Sequence, residues 1–377
     1  MVREEVRRAL DVRRLVVKIG SALLVEPDGR IRRRWLEALA EDLAELHREG
    51  RKLVVVTSGA IAVGRRLLGL ARERLRLEEK QAAAAVGQIR LAHAYDDSLG
   101  RHGLATAQVL LTLADTEARR RYLNARATME TLLRLGVVPV VNENDTVATS
   151  EIRFGDNDRL SARVAVMLGA ETLLLLSDVD GLYTGDPLRD PEARHIPEVA
   201  SITPEIRAMA GGSASEVGTG GMRSKLEAAE IATGGGTTVL LARGTGLHPL
   251  RALRTGAPCT RFAARTTPKR ARKQWILARL EVRGRLVVDE GAAAALQRGS
   301  SLLPAGVVAV EGAFEKGDAV AVVGPDGRVL AKGIVAYDAE DARRIQGCRS
   351  PEIEARLGFR GRDELVHRDD LVLLGRG

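Results

Sequence analysis

The sequence is poor in aromatic residues. Two Trp, four Tyr and four Phe are spread over 377 positions, too few for the stacking platforms on which single-stranded nucleic acids are usually read. Lysine is scarce too: eight of the 58 basic residues are Lys and the rest are Arg. The two cysteines, Cys259 and Cys348, lie far apart with no CxxC spacing. That excludes a disulfide-built fold and a cysteine-held metal, and it fits a reducing compartment. No apolar run is long enough to cross a bilayer, and the opening MVREEVRRALDVRR is charged throughout, so neither insertion nor secretion is expected and the expected location is cytoplasmic. GxxxxGK[ST] and GxGxxG are both missing, which disfavours a P-loop NTPase and a standard dinucleotide dehydrogenase.

What is present is the balance of a globular protein, 45% hydrophobic and 29% charged, with a net charge of +8. Such basicity suits polyanions, either nucleic acid or nucleotide phosphates, and the dearth of aromatics favours small phosphates. Over residues 1–262, β-branched runs at 15–20, 53–57, 104–111, 137–141, 172–177 and 237–242 read as buried strands. Stretches of helical period at 33–49, 58–69, 78–99, 115–135 and 158–168 separate them. This alternation predicts an α/β fold with a mostly parallel central sheet, whose ligands sit beyond the carboxyl ends of the strands. Residues 263–273, AARTTPKRARK, carry five basic residues and no acid and read as an exposed basic linker. From 274 to 377 short strand-like runs between Gly and Pro-Asp-Gly turns predict a small β-rich domain, with a helix at 338–346 and a last strand in LVLLG.

The polar residues that follow the strands carry the chemistry. Lys18, Gly20 and Ser21 end the first run, where a glycine lets backbone amides approach a phosphate and a lysine supplies a cation. Ser58 precedes a helix; it is either an N-cap or part of an anion hole for a carboxylate. The densest cluster is VVNENDTVATSEIRFGDNDRLSA, with Asn142, Glu143, Asn144, Asp145, Asp156, Asn157 and Asp158. Its carboxylates and amides suit the ammonium and carboxylate of an amino acid, and Asp-x-Asp could also hold a hard cation. Ser177 and Asp178 end another strand, and GTGGMRSK, from Gly218 through Thr219, Gly220, Gly221, Met222, Arg223 and Ser224 to Lys225, runs into a helix.

Taken in order, VVKIGSALL, VVTSGAIAVG, VVNENDTVATSEI, FGDNDRLSA, LLLLSDVDGLYTGDP and GTGGMRSK resemble the amino acid kinase family, in particular the branch that phosphorylates the side-chain carboxylate of glutamate at the start of proline synthesis. DEGAAAAL, GSSLLPAGV, VEGAFEKGD and AKGIVAYD near the end resemble a PUA domain. The resemblance implies an amino acid kinase-like sandwich with a PUA-like domain after it, ATP with Mg2+ as phosphoryl donor, proline as feedback inhibitor and a homo-oligomer, dimer or tetramer. It also implies roles. Lys18, Asp158 and Lys225 would be catalytic, with Asp158 holding the lysines, and Ser58, Asp145 and Asn157 would bind glutamate. Lys18, Gly20, Ser177, Asp178 and Thr219 through Lys225 would bind ATP. Aspartate, N-acetylglutamate, carbamate and UMP are the acceptors that rival glutamate in this fold. RNA binding through the PUA-like domain is the rival from another class. The charge bears on that rival: residues 1–262 carry net +4, the linker +5 and residues 274–377 net −1, so the β-rich domain is not the source of the basicity.

Overall fold

The computed structural model describes residues 2–70, 75–147, 156–187, 189–210, 221–279 and 281–374. They form two compact units that divide between Pro268 and Lys269.

The first unit is built on ten strands: β1 (Arg14–Ile19), β2 (Lys52–Val56), β3 (Thr106–Leu111), β4 (Val138–Glu143), β5 (Thr172–Ser177), β6 (Leu182–Tyr183), β7 (His195–Ile196), β8 (Glu198–Val199), β9 (Thr238–Arg243) and β10 (Cys259–Phe262). Eight make one sheet in the order β3-β4-β2-β1-β5-β9-β10-β8, in which only the β9–β10 pair is antiparallel. The helices are α1 (Val2–Leu10), α2 (Ser21–Leu24), α3 (Arg33–Arg48), α4 (Ala60–Leu67), α5 (Leu77–Gly100), α6 (Leu113–Glu117), α7 (Arg119–Arg134), α8 (Asp156–Leu168), α9 (Pro204–Met209), α10 (Met222–Gly234), α11 (Pro249–Arg254) and α12 (Pro268–Arg279), the last beginning at the division between the units.

Alternation along β1 decides what its residues face. Leu15, Val17 and Ile19 enter the core shared with α3, α5 and α11. Val16 enters the opposite core, shared with α7, α8 and α10. Lys18, two residues on, is therefore carried to the α8 side. The strand at 104–111 departs from the buried reading. β3 is an edge strand, and Gln108 and Leu110 are exposed because nothing in this sheet pairs on that side. The single helix expected at 115–135 is two, since Ala118 between α6 and α7 has an extended backbone (φ −69°, ψ 112°).

Helices α4 and α5 cross at glycines. A Cβ on Gly64 would lie 1.7 Å from the Ala83 carbonyl oxygen, and one on Gly87 would lie 1.8 Å from the Ala60 carbonyl oxygen. Any side chain there would force the helices apart, and α4 carries Ala60 just after Ser58 and Gly59.

The second unit contains β11 (Val282–Val288), α13 (Glu290–Gln297), β12 (Val307–Gly312), β13 (Ala319–Val323), β14 (Val329–Ile334), α14 (Ala339–Ile345), α15 (Ile353–Leu357) and β15 (Leu371–Leu373). Its sheet runs β12-β11-β13-β14-β15, over a core that includes Leu286, Val320, Val322, Phe314 and Ile345. The expected helix and last strand correspond to α14 and β15. Part of the stretch read as an exposed basic linker is helical: α12 opens on Pro268, whose missing N–H costs nothing at a first helical position.

Candidate active site

The carboxyl ends of β1, β2, β4 and β5 are neighbours in the sheet, with β1 between β2 and β5. The chain leaves this central strand towards opposite edges, the place where open α/β sheets form a ligand crevice. Lys18, Ser58, Asn142 and Ser177 lie at or just beyond these ends.

At the centre is Asp158, in the first turn of α8 and fully buried. Its Oδ1 lies 2.5 Å from Lys18 Nζ and its Oδ2 lies 3.6 Å from Lys225 Nζ. Ser224 Oγ donates to Oδ2 at 2.8 Å. Both lysines are buried. Burial alone would push the Asp158 carboxyl up, but the Lys18 and Lys225 ammonium groups and the Lys18 and Ser224 hydrogen bonds outweigh it and hold the group below its ordinary value. Lys225 moves the other way from a normal lysine: burial lowers its pKa, and the attraction of Asp158 offsets only part of that. One carboxylate between two ammonium groups leaves a surplus of one positive charge where water is largely excluded, a place prepared for an anion.

A second group lies beside it. Ser58 is not a helix cap. Gly59 occupies the N-cap of α4 in the left-handed region (φ 102°) and makes no side-chain cap bond. The Ser58 hydroxyl instead accepts from Asn157 Nδ2 at 3.0 Å, and the same Nδ2 donates to Asn142 Oδ1 at 3.1 Å. The Glu143 N–H also donates to Asn142 Oδ1, and Gln88 Nε2 donates to the Glu143 carbonyl. Two buried polar atoms of this group, Asn142 Nδ2 and Asn157 Oδ1, make no hydrogen bond. A donor and an acceptor held dry and unused are expensive to keep unless a ligand engages them. Asp145 is buried in the turn after β4.

At the end of β5, Ser177 Oγ donates to Asp178 Oδ1 at 2.9 Å, and the Ser177 carbonyl accepts from the Gly244 N–H. Gly20 caps α2 and donates its N–H to the Leu176 carbonyl. A Cβ on Gly20 would lie 4.0 Å from Lys18 Nζ. Gly221 is the N-cap of α10. Met222 is half-buried, and Arg223 is exposed with its Nε 3.3 Å from Glu227 Oε1. Thr219 and Gly220 lie outside the described residues. Asn142 was named within the crowded polar loop but given no role of its own, and Gln88, inside α5, carried no signal at all.

Comparison with known proteins agrees with this geometry. Residues 13–243 match the family model described as the amino acid kinase family. The chain belongs to the amino acid kinase family. Residues 284–357 match the model of the PUA domain. Among similar proteins, the glutamate 5-kinase of Paramagnetospirillum magneticum is 60% identical over 364 residues, covering 96% of this chain and 98% of that one. Glutamate 5-kinase 1 of Mesorhizobium japonicum is 58% identical over 365 residues and the glutamate 5-kinase of Brucella abortus 56% over 367, each covering 97% of both chains. The sandwich of helices on a mostly parallel sheet is the core of this family's fold here, and the PUA match falls within the second unit.

Proposed function

We propose that this chain transfers the γ-phosphoryl group of ATP to the side-chain carboxylate of L-glutamate, giving glutamyl 5-phosphate and ADP, the opening step of proline synthesis. The observation that carries the reading is the buried Lys18–Asp158–Lys225 set with its surplus positive charge, beside a polar group suited to an amino acid. The names of relatives at 56–60% identity over nearly the whole chain support the acceptor.

A carboxylate oxygen attacks the γ-phosphorus as the bond to the β–γ bridging oxygen breaks. The attacking carboxylate is already ionised at neutral pH, so no proton need be removed. The task that remains is to bring two anions together and hold the charge on the phosphoryl group in flight. Lys18 acts on the acceptor side of the phosphoryl group, with Gly20 leaving room beside its ammonium, Lys225 acts from the nucleotide side, and Asp158 keeps both ammonium groups in place. Ser58, Asn157 and Asp145 bind glutamate. Ser177, Asp178 and the segment from Thr219 to Lys225 bind ATP. The donor is ATP with magnesium carried on its phosphates. Both oxygens of Asp158 are taken by the lysines and Ser224.

The test is an ATP-dependent assay across glutamate, aspartate, N-acetylglutamate and UMP, trapping acyl phosphate with hydroxylamine. Hydroxamate from glutamate alone is the expected result; turnover with another acceptor and none with glutamate would overturn it. Inhibition by proline in that assay, and a mass above 40.5 kDa in sedimentation, are the accompanying expectations for a feedback-regulated homo-oligomer. No helix among the described residues is long and apolar enough to cross a membrane.

A further inference from the structure

Helices α8 and α10 meet at a second polar contact, next to the first and made by neighbouring residues. Arg159 directly follows Asp158, and its Nε donates to Glu227 Oε2 at 2.8 Å while its NH2 group pairs with the same oxygen. On α10, Ser224 and Glu227 are three residues apart and so share one stripe of the helix surface. Consecutive residues of α8 are thus tied to α10: Asp158 to Ser224 and its neighbour Lys225, and Arg159 to Glu227 on the stripe that Ser224 begins.

One contact alone would leave α10 free to turn about it. Two contacts spaced along the same stripe also fix the rotation and axial position of the helix, and a guanidinium holds a carboxylate in a defined orientation where an ammonium does not. The stakes lie at Lys225, whose Nζ is 3.6 Å from Asp158 Oδ2 and which burial disfavours as a cation. Of the two carboxylates that favour its charge, Asp158 and Asp178, Asp158 has the larger effect.

Resting on the kinase reading above, we infer that Arg159 and Glu227 are positioning residues that hold Lys225 against Asp158 for phosphoryl transfer. Both side chains are partly exposed, at 39% and 30%, so solvent screens the pair and it contributes little to stability. Its contribution is alignment, and alignment is read in kcat. The same helix supplies a control: Arg207 pairs with Glu230 one turn further along, joining α10 to α9 instead of α8.

The experiment measures kcat, KM for glutamate and Tm of the full chain for Arg159→Gln, Glu227→Gln, the double variant, the exchange Arg159→Glu with Glu227→Arg, and Arg207→Gln. Each single Gln variant is expected to lower kcat roughly tenfold, with KM for glutamate held within about twofold. The double Gln variant should be no worse than either single, the exchange should recover only part of the activity because the new guanidinium at 227 then faces Arg223, and Arg207→Gln should match the parent. A kcat near the parent's in Arg159→Gln and Glu227→Gln, strictly additive losses, or an equal loss in Arg207→Gln would overturn the positioning role. Where a Gln variant does not fold, Arg159→Lys, which keeps the charge and loses the fork, gives the same reading. A parent that phosphorylates no glutamate would overturn the function itself, and the positioning role with it.

Discussion

Two buried aspartates in the first unit do opposite jobs. Asp42, in α3, accepts from the backbone N–H groups of Leu250 and Arg251 at the start of α11, and His248 Nδ1 lies 3.1 Å away. Asp158, in α8, is held by two lysine ammonium groups and a serine hydroxyl. Both side chains are almost wholly out of water. Asp42 serves donors that the fold already has to satisfy at a helix start, a structural task complete in itself. Asp158 takes donors that the fold had no need to bury, and the surplus positive charge left over is useful only to something that is not yet there. The second unit offers a third case. Asp370, its one buried acidic or basic residue among those described, accepts from Arg272 Nε at 2.6 Å, a closed pair of the structural kind.

The largest effect that tests this contrast is on activity at Asp158. Asp158→Asn leaves two buried ammonium groups without their counter-charge, and kcat is expected to fall by on the order of a thousandfold or more, measured by hydroxamate formation. Lys225→Met should lower kcat by about a hundredfold or more. Its Tm should hold or rise, because the fold already disfavours the Lys225 charge that the substitution removes. A clear drop in Tm would make Lys225 a structural residue and erase the distinction from Asp42.

The converse variant is Asp42→Ala, which should cost about 1–3 kcal/mol of stability by leaving the α11 amides unserved, while kcat and KM for glutamate stay at the parent's values. Loss of activity in well-folded Asp42→Ala would break the comparison from the other side. The smallest effect is the pH dependence. The folded Asp158 pKa lies below the unfolded value, so its contribution to stability is present above about pH 4 and is lost as pH falls through the folded value. Lys225 has the opposite consequence: its folded pKa is below 10.5, so the unfolded chain binds that proton more readily and stability rises with pH between the two values. Urea unfolding from pH 3 to 10 should show Lys225→Met with a flatter alkaline limb than the parent, and with a shallower acid limb too, because Asp158 loses one of the ammonium groups that hold its pKa down.

Much of this was readable from the residues in order. β-branched runs between Ala- and Leu-rich stretches placed β1, β2, β4, β5 and β9 within a residue or two, because strands buried on both faces must be apolar throughout. That rule placed β3 within two residues as well but missed its burial: β3 is an edge strand on which Gln108 and Leu110 are exposed. The site was legible as a set of polar residues after strand ends, and the resemblance attached roles to Lys18, Asp158 and Lys225. It did not reveal that Ser58 yields the cap of α4 to Gly59, nor that Asn142 and Gln88 stand behind Asn157. Those are contacts between residues up to 99 positions apart, for which a linear pattern has no period.

The sequence by itself determined the order of the strands along the chain and the polar residues that follow their ends, since these follow from hydrophobic period and turn residues, which are local. Only the tertiary structure decided how deeply Asp158 and its two lysines are buried, which amide atoms are left without partners, and that Arg159 and Glu227 meet beside them. These depend on how α8 and α10 pack against one sheet face, and packing is a property of residues distant in the chain and close in space.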